Sequence, residues 1–365
     1  MVSRPPPRSV HPHHMYDCIF DQPQAISQIL QSQTGAVGEL AARISSSKRV
    51  HITGIGTSWH AALVGEYLFR QVAGRPEART WHSFEFAAYP PPLNADDLVI
   101  VMSHTGRKRY SRDVLELAEK SGAATALITS LNSEARLDQA DVVVSTTYRD
   151  KSAAFTISHT GAMTALAMVA AATPGTDASH QAARRRELDG LPGLVKQALT
   201  SEARVKETVL RFKDRSWYCF AGWGPNVATA YEAALKVNEA AYDVTTAFQL
   251  EQFLHGPFVA TGPGCLVTLI APPGPGYRRA VEIARAVKET RGGVVALAEE
   301  GDAEISSVAD MTVHLPKVAE FLTPIVYLVP LQMFTYWLAL DRERNPDVFR
   351  LDDPRHQAAR NHYQL

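Results

Sequence analysis

The feature that most constrains the fold is an internal repeat, in which a strand-like run, a glycine turn and a helix-like run occur twice. Gly54 and Gly56 follow the first strand-like run, and they correspond to Gly222 and Gly224 at an offset of 168 residues. Alternation of strands and helices is typical of a parallel sheet with helical crossovers. The repeat therefore predicts two tandem copies of one α/β unit.

Four strands are predicted in each copy from short apolar runs bounded by turn residues. In the first copy the strands are predicted at residues 49–53, 98–102, 124–128 and 142–145. In the second copy they are predicted at residues 217–221, 265–271, 294–298 and 311–315. The matching spacing of the two sets supports the repeat.

Around these two copies the chain divides into five predicted segments. They are a flexible leader (1–14), a first domain with an N-terminal helix (15–180), a linker with a connecting helix (181–205), a second domain (206–345) and a C-terminal tail (346–365). The leader is rich in proline and histidine, which favours a disordered tail over a metal-binding tract.

Composition narrows the classes of partner. The formal net charge is −1, which predicts neither nucleic-acid binding nor a polybasic membrane contact. Cys18, Cys219 and Cys265 are far apart and form no C-x-x-C pair, which favours the cytoplasm. The most apolar stretch, residues 321–340, is interrupted by prolines and is predicted to be a buried helix rather than a membrane span.

The strongest local signal for a ligand is the turn Ser103-His104-Thr105-Gly106, directly after the strand-like run that ends at Met102. A small hydroxyl-rich turn between a strand and a helix directs backbone N–H groups and hydroxyls toward one point, which suits an anion. The turn matches neither G-x-x-x-x-G-K-[ST] nor G-x-G-x-x-G. An ordinary polar turn is the alternative interpretation.

A second turn of this kind, Gly56-Thr57-Ser58, follows the first predicted strand. Because open α/β sheets bind ligands at the carboxyl ends of their strands, the two turns are expected to cover one phosphate together. The second copy has Ala271 and Pro272 at the matching place. Only the first copy is therefore predicted to hold an anion.

A basic run, Arg107-Lys108-Arg109, follows the first of these turns. Positive charge in the first turn of a helix opposes the helix dipole, and it is tolerated where an anion binds. Lys108 is therefore a candidate ligand-binding residue, and a solvated surface is the alternative.

Candidate acid–base residues occur in the second copy. Glu232, Lys236, Glu239 and Asp243 are spaced by 4, 3 and 4 residues, which places them on one helix face. Lys236 is expected to keep Glu239 ionised and able to accept a proton, although a salt-bridged surface stripe would show the same spacing. His255 precedes a Gly-Pro turn and is a candidate proton shuttle.

In this order, over two copies, these motifs resemble the sugar isomerase (SIS) family, and they are similar to the isomerase half of glucosamine-6-phosphate synthase. The resemblance covers about residues 15 to 365, and it is carried by the stretches Met15–Ile26, Gly54–Ser58, Phe84–Phe86, Ser103–Gly106, Tyr231–Glu239 and His255–Pro257. It implies two SIS domains, each a three-layer α/β/α sandwich with a mainly parallel, flavodoxin-like sheet. It also implies that the C-terminal tail, residues 346–365, closes on the active site.

The resemblance also implies roles for individual residues. Residues of the hydroxyl-rich loops are expected to bind the sugar phosphate, namely Gly56, Thr57, Ser58, Ser103, His104, Thr105 and Lys108, with Thr156 and Ser158 as two candidates from a further segment. Glu239 would move a proton between C1 and C2 of the open-chain sugar, with Lys236 beside it. His255 would help to open the ring across the interface of a homodimer. No metal and no cofactor is implied.

Three departures from the synthase matter. No glutaminase segment with an N-terminal cysteine precedes the match, so glutamine-derived ammonia is expected only from a partner. The tail, residues 353–360, contains arginine but no lysine, and arginine cannot form the imine that the family lysine forms. Arg107 and Lys108 replace an acidic residue and a threonine, which leaves open a sulfonate or a second acidic group on the ligand.

The sequence thus predicts a metal-independent enzyme that acts on an anionic sugar through an enediol or enolamine intermediate. Aldose–ketose isomerisation and amino-sugar-phosphate deamination or deglycation both fit these residues. A non-catalytic sugar-phosphate sensor and a partner-dependent fructose-6-phosphate transaminase are the alternatives.

Overall fold

The computed structural model describes residues 4–131, 133, 140–174 and 178–363. It contains two parallel sheets of five strands each. The strands of the first sheet are β1 (Arg49–Gly54), β2 (Arg79–His82), β3 (Asp97–Met102), β4 (Ala124–Thr129) and β5 (Val142–Ser145). Those of the second sheet are β6 (Trp217–Gly222), β7 (Thr245–Gln249), β8 (Cys265–Ala271), β9 (Gly293–Glu299) and β10 (Met311–Leu315).

Helices flank both sheets. In chain order they are α1 (His14–Phe20), α2 (Gln22–Ser32), α3 (Thr34–Ser46), α4 (Thr57–Gln71), α5 (Ser83–Ala88), α6 (Arg109–Ser121), α7 (Ile157–Ala172), α8 (Ala178–Leu199), α9 (Glu202–Phe212), α10 (Asn226–Ala240), α11 (Leu250–Leu254), α12 (Tyr277–Glu289), α13 (Thr323–Val326), α14 (Leu328–Asp341) and α15 (Pro354–Ala359).

The two sheets have the same topology. Their strand orders are β2-β1-β3-β4-β5 and β7-β6-β8-β9-β10, and neighbouring strands are parallel throughout. This is the flavodoxin-like order, in which the ligand site lies where the strand order reverses, between the first and third strands. The predicted fold class and its duplication are confirmed.

The sequence missed one strand in each copy. The strands β2 and β7 lie at the edges of their sheets, and most of their residues are only partly buried. An edge strand lacks the continuous apolar pattern of a strand covered on both faces, so it gives a weak signal. The other eight strands lie within one or two residues of the predicted bounds.

One hydrophobic core joins the two copies. The same cluster of buried side chains includes Leu68 of α4, Leu166 of α7, Val237 of α10 and Tyr336 of α14. The segment Glu320–Asp341 is apolar and long enough to cross a bilayer, but 94% of its most apolar window is buried inside the protein. It is therefore a core element, as the sequence predicted.

The expected leader is packed rather than free over the part that the structure describes. His13 and His14 are buried, and the backbone N–H groups of His14 and Met15 donate to the carboxylate of Asp347 at 2.9 and 3.0 Å. The ring of His11 lies 2.8 Å from the hydroxyl of Tyr336. Aromatic and carboxylate partners from the far end of the chain hold this segment, and no local pattern predicts them.

The connection between the copies is also more regular than expected. Residues 181–205 were predicted to hold a linker and a connecting helix, but α8 runs without interruption to Leu199, and α9 follows it directly. Leu188, Leu191 and Val195 are buried along one face of α8. Packing of that face outweighs Pro192, which lies inside the helix.

Candidate functional site

The site begins at the turn between β1 and α4. A side chain at Gly54 would overlap the backbone of Ser58, so glycine is required for α4 to begin this close to the strand. Gly56 has φ +56°, in the left-handed region that favours glycine. The turn therefore points the first N–H groups of α4, together with Thr57 and Ser58, toward the carboxyl edge of the sheet.

The second turn lies beside the first, after β3. Ser103 is held by its backbone, because its N–H donates to the carbonyl of Ile128 at 3.0 Å and its carbonyl accepts from the hydroxyl of Thr129 at 2.8 Å. Its own hydroxyl is buried and has no hydrogen-bond partner among the described residues, and the same is true of the Ser158 hydroxyl and His104 Nε2. Buried polar atoms of native proteins are rarely left unpaired, so the two hydroxyls are available to a ligand, whereas His104 Nε2 also lies 4.0 Å from Asp150 Oδ2.

These groups open into one cavity of about 500 Å³. Eight of the predicted site residues line it, namely Gly56, Thr57, Ser58, Ser103, His104, Thr105, Lys108 and Glu239. A small adjoining pocket of about 20 Å³ is lined by Ser158 and shares Thr57, Ser58, Ser103 and His104 with the cavity. The structure thus brings together the two hydroxyl-rich turns of the first copy and Glu239 on α10 of the second.

Thr156, the other candidate from this segment, lines neither space. It is buried just before α7, where its backbone N–H donates to Asp150 Oδ1 at 2.7 Å and its hydroxyl lies 3.4 Å from the same oxygen. The neighbouring Ser158 N–H donates to Asp150 Oδ2 at 3.1 Å. Of the two candidates, Ser158 is therefore the one whose side chain lines a pocket.

The predicted charged face of α10 is a buried cluster rather than a surface stripe. Glu232 and Lys236 have side-chain exposures of 0% and 1%, and Lys236 Nζ lies 3.3 Å from Glu232 Oε1 and contacts Glu239 Oε2. Thr57 joins them, because its hydroxyl accepts from Lys236 Nζ and donates to Glu232 Oε1, both at 3.1 Å. The Thr57 hydroxyl is thus committed to this cluster, which leaves its backbone N–H for an anion.

Two predicted residues stand apart from the cluster. Asp243 lies beyond the end of α10 and pairs with Arg342 at 3.0 Å, because the helix ends at Ala240. His255 has a side-chain exposure of 72%, and its Nε2 lies 3.1 Å from Glu251 on the surface. His255 therefore does not line the cavity of its own chain.

Burial and neighbouring charge set the protonation of the cluster. Burial opposes the charge of Glu232, but Lys236 and the nearby histidines outweigh it and lower the Glu232 pKa to about 2. Burial likewise opposes the charge of Lys236, but the two carboxylates raise its pKa. Burial raises the pKa of Glu239, and Lys236 only partly offsets it. Glu239 is therefore the carboxylate of the cluster best suited to accept a proton.

Two histidines that the sequence analysis did not select, His60 and His159, lie close to the charged cluster of α10. His60 Nδ1 lies 2.7 Å from Glu232 Oε2. His159 is fully enclosed, and burial lowers the pKa of both His159 and His104 to about 4, so both are neutral at pH 7. His60 and His159 follow Ser58 and Ser158 by one or two residues, and this proximity to the hydroxyl turns was the signal available in the sequence.

Side chains from both chain ends also reach the cavity; the tail was expected to close on the active site, but no motif singled out these side chains. Arg4 from the leader and Phe349 and Arg360 from the tail line it, together with Arg149 after β5. Among the described residues no group of three or more His, Cys, Asp or Glu side chains is placed to hold a metal ion.

The sequence pattern of the SIS domain family matches residues 43–172 and 215–342. The chain belongs to the SIS domain family. The two matched segments coincide with the two halves of the SIS fold described above, one around each five-stranded sheet.

Curated SIS relatives extend over most of this chain. It is 29% identical over 343 residues to the glutamine–fructose-6-phosphate aminotransferase (isomerizing) of Thermococcus kodakarensis, covering 92% of this chain and 56% of that protein. The enzyme of the same name from Gloeobacter violaceus is 30% identical over 359 residues, covering 95% of this chain and 58% of that protein. The chain thus spans little more than half the length of these relatives.

Solved SIS structures share the fold. The C-terminal domain of glucosamine-fructose-6-phosphate aminotransferase from Francisella tularensis superposes with a TM-score of 0.83 at 19% identity, covering 92% of this chain and 98% of that one. Tagatose-6-phosphate ketose/aldose isomerase from Escherichia coli gives 0.76 at 18% identity, covering 94% and 97%. Glucosamine-6-phosphate deaminase from Thermotoga maritima gives 0.74 at 18% identity, covering 93% and 98%.

Proposed function

We propose that this protein is an enzyme that moves a proton between C1 and C2 of a phosphorylated sugar, either as an aldose–ketose isomerase or as an amino-sugar-phosphate deaminase or deglycase. One observation carries the proposal. The carboxylate of Glu239, with Lys236 behind it, lines the same cavity as the unpaired hydroxyl of Ser103. A base and an anion-binding turn facing one space are what this chemistry requires.

The sugar phosphate would bind at the two turns of the first copy. Phosphate oxygens would accept from the Ser58 and Ser103 hydroxyls and from the first N–H groups of α4, where the helix dipole favours negative charge. Because Lys236 bridges to Thr57 at the start of α4, the phosphate-binding turn and the base are held in one rigid arrangement. Holding the substrate and the base in a fixed geometry accelerates a reaction, because less entropy is lost on the way to the transition state.

In the chemical step Glu239 would take a proton from the carbon next to the carbonyl or imine group, and the electron pair of that C–H bond would form an enediol or enolamine. Return of the proton to the neighbouring carbon completes an isomerisation. In a deamination, protonation of the enolamine at C1 gives an imine at C2, and addition of water to that imine releases the amine and leaves a ketose. Lys236 would orient the carboxylate through its ammonium group, which both neighbouring carboxylates favour.

The names of the similar proteins support this reaction class. The structures that share the fold include proteins described as a glucosamine-6-phosphate deaminase and a tagatose-6-phosphate ketose/aldose isomerase. The curated relatives are described as isomerizing aminotransferases. Proton transfer at adjacent carbons is common to these activities.

Proton exchange at the reacting carbons tests the proposal. The protein is incubated in deuterated water with fructose 6-phosphate, tagatose 6-phosphate and glucosamine 6-phosphate, and NMR follows deuterium at C1 of the two ketoses and at C2 of the amino sugar. We expect exchange with at least one compound and a loss of about 10³-fold in Glu239→Gln, because a positioned base contributes roughly 10²–10⁴. Glu116→Gln, on the exposed face of α6, is the matched control. Tight binding of these compounds without exchange would instead identify a sugar-phosphate sensor.

We further propose a homodimer in which His255 of one copy serves the cavity of the other. The support is its position, since the ring is exposed and lies outside the cavity of its own chain. Mixing Glu239→Gln and His255→Gln chains after unfolding and refolding tests this. Random pairing in two-fold dimers restores about a quarter of the active sites, whereas sites built from one chain alone would stay inactive.

A further inference from the structure

His60 of α4 is a buried histidine that links the first copy to the charged cluster of the second. Its Nδ1 lies 2.7 Å from Glu232 Oε2, and its side chain is 9% exposed. The carboxylate of Glu232 is fully buried and ionised, because Lys236 and the nearby histidines hold its pKa at about 2. An ionised carboxylate only accepts hydrogen bonds, so Nδ1 of His60 carries a proton and donates to Oε2.

Aromatic rings fix the orientation of His60. The ring centroids of Trp59 and Tyr231 lie 5.5 and 6.0 Å from that of His60. Turning the His60 ring away from Glu232 would lose these ring contacts as well as the hydrogen bond. The donor nitrogen is therefore held in place.

The two oxygens of the Glu232 carboxylate have different partners. Oε1 accepts from the Thr57 hydroxyl at 3.1 Å and lies 3.3 Å from Lys236 Nζ. Oε2 accepts from His60 alone among the described residues. Because the Glu232 side chain has no exposure to water, loss of His60 would leave a buried charged oxygen without a donor, which is unfavourable.

The ammonium group of Lys236 is divided among three acceptors. They are Thr57 Oγ1 at 3.1 Å, Glu232 Oε1 at 3.3 Å and Glu239 Oε2, which is in direct contact. An ammonium group has three N–H donors, so none is left over. The two carboxylates therefore compete for one cation, and a carboxylate that lacks another donor would draw it away from its competitor.

We propose that His60 is a positioning residue for the base. By donating to Oε2 of Glu232, His60 keeps that carboxylate satisfied, and the ammonium of Lys236 stays in contact with Glu239. His60 is not among the described residues that line the cavity, so it would act through Glu232 and Lys236 and not on the sugar. The inference rests on the proposed role of Glu239 as the base.

The charges around the two carboxylates set the expected pH dependence. The titratable and charged groups that face them are Lys236 on α10 itself, His60 on α4, His159 on α7, Arg4 of the leader and, around the cavity, Lys108, Arg149 and Arg360. Of these, Lys236 is in direct contact with Glu239, so its displacement would raise the pKa of Glu239. Because Glu239 accepts a proton only when it is ionised, the acidic limb of the pH–rate profile would then move to higher pH.

The pH–rate profile of proton exchange on the full chain tests the positioning role. His60→Ala removes the donor, and we expect the acidic limb to move up by about one pH unit, with a rate about tenfold lower below the limb. His60→Asn places an amide N–H at the same number of bonds from the backbone as Nδ1, so it should restore most of the wild-type profile.

A second buried histidine provides the matched control. His51 lies in β1, is 5% exposed, and its Nδ1 accepts from Trp81 Nε1 at 3.0 Å, outside the charged cluster. His51→Ala should lower the melting temperature without moving the acidic limb. Melting temperatures show which variants are folded, and His60→Gln, whose amide nitrogen is one bond too far to match Nδ1, replaces His60→Ala if that chain is unfolded.

The proton affinity of Glu239 gives a readout that needs no substrate. Urea unfolding of the wild type and of Glu239→Gln is compared over a range of pH, with and without His60→Ala. The pH dependence of the difference in unfolding free energy reports the pKa of Glu239 in the folded chain. We expect that pKa to be higher by about one unit when His60 is replaced.

The outcomes separate this inference from the proposed function. An unchanged pKa of Glu239 in His60→Ala overturns the positioning role, even if the wild type exchanges protons. A loss of rate that is uniform over pH and that His51→Ala reproduces also overturns it, because it indicates a general structural role. Absence of exchange with every sugar phosphate, together with a raised pKa of Glu239 in His60→Ala, overturns the proposed function but supports the link from His60 to Glu239.

Discussion

The two copies share a backbone and differ in what they place on it. Gly54 and Gly222 occupy matching positions, and a side chain at either would overlap the backbone of the helix that follows. Gly56 and Gly224 both adopt left-handed conformations, with φ +56° and +53°. The repeat therefore preserves the close approach of a helix N-terminus to a strand, which is the structural requirement for a ligand site at this place.

The side chains on this scaffold have diverged. Ser58 corresponds to Asn226, whose amide donates to the hydroxyl of Thr323 at 2.8 Å, and Ser103 corresponds to Ala271. Polar atoms that face a ligand space in the first copy are thus paired or absent in the second. The second copy in turn has a carboxylate that the first lacks, because Glu239 of α10 corresponds to Gln71 of α4.

A second hollow exists at the matching place in the second copy. It measures about 360 Å³ and is lined by Gly224 and Pro225 together with Gln71, Trp59 and Tyr231. The second copy therefore has a cavity at the matching place, but that cavity lacks the hydroxyl-rich turns of the first. In the proposed reaction the first copy would supply the anion-binding turns and the second the base, so the reaction would need both.

The largest effect is expected where the copies differ in a buried charge. Lys236→Met leaves the carboxylate of Glu232 buried without its ammonium partner, which should lower the free energy of unfolding by roughly 3–5 kcal/mol. Leu68→Met, at the matching position of α4, should cost less than about 1.5 kcal/mol. Urea unfolding measures both free energies of unfolding. Equal decreases in the two variants would show that the buried charges contribute no more to stability than an apolar contact does.

Acid is expected to weaken the first copy before the second. Burial lowers the pKa of His104 and His159 to about 4, and their counterparts in the second copy are Pro272 and Tyr327. Between pH 6.5 and 4 the unfolded chain binds more protons at these histidines than the folded one, so stability falls as the pH falls.

At pH 5 each histidine should account for a loss of roughly 2 kcal/mol relative to pH 7. The raised pKa of Glu239 acts in the opposite sense, since the folded state gains that proton first. Hydrogen exchange at the two pH values should show earlier opening around β3 and α7 than around β8 and α14, and His159→Gln should reduce the pH dependence. Uniform loss over both copies would contradict the assignment.

A smaller effect is expected from single hydroxyls of the turns. Ser103→Ala removes a buried hydroxyl without a partner, so stability should not fall, whereas binding of sugar phosphate should weaken by about 1.5 kcal/mol or more. Ala271→Ser is the reciprocal change in the second copy, and it should lower stability without altering binding. Calorimetric titration and urea unfolding separate the two results, and a stability loss in Ser103→Ala would mark its hydroxyl as structural.

A carboxylate added to the second copy is expected to have no effect on proton exchange. Gln71→Glu places a carboxylate at the position that corresponds to Glu239, but the hollow there lacks the hydroxyl turns. Proton exchange on the sugar phosphates should therefore remain at the wild-type rate in Gln71→Glu, and it should not return when this change is added to Glu239→Gln. Recovery of exchange in the double variant would mean that the two hollows are functionally equivalent.

Much of this arrangement was available from local sequence. Short apolar runs followed by glycine turns predicted eight of the ten described strands and the duplication, because a strand buried on both faces requires a continuous apolar run. The turns at Thr57 and Ser103 and the face of α10 carrying Lys236 and Glu239 were also predicted, since a helix period and the end of a strand are local properties.

What only the tertiary structure decided is which groups meet and how deeply they are buried. The spacing of Glu232 and Lys236 suits a solvated stripe as well as a core cluster, and packing of α10 against α4 made it a buried cluster joined to Thr57. Arg4 and Arg360 come from opposite ends of the chain and share one cavity. Such contacts depend on the path of the whole chain, so no short stretch of sequence encodes them.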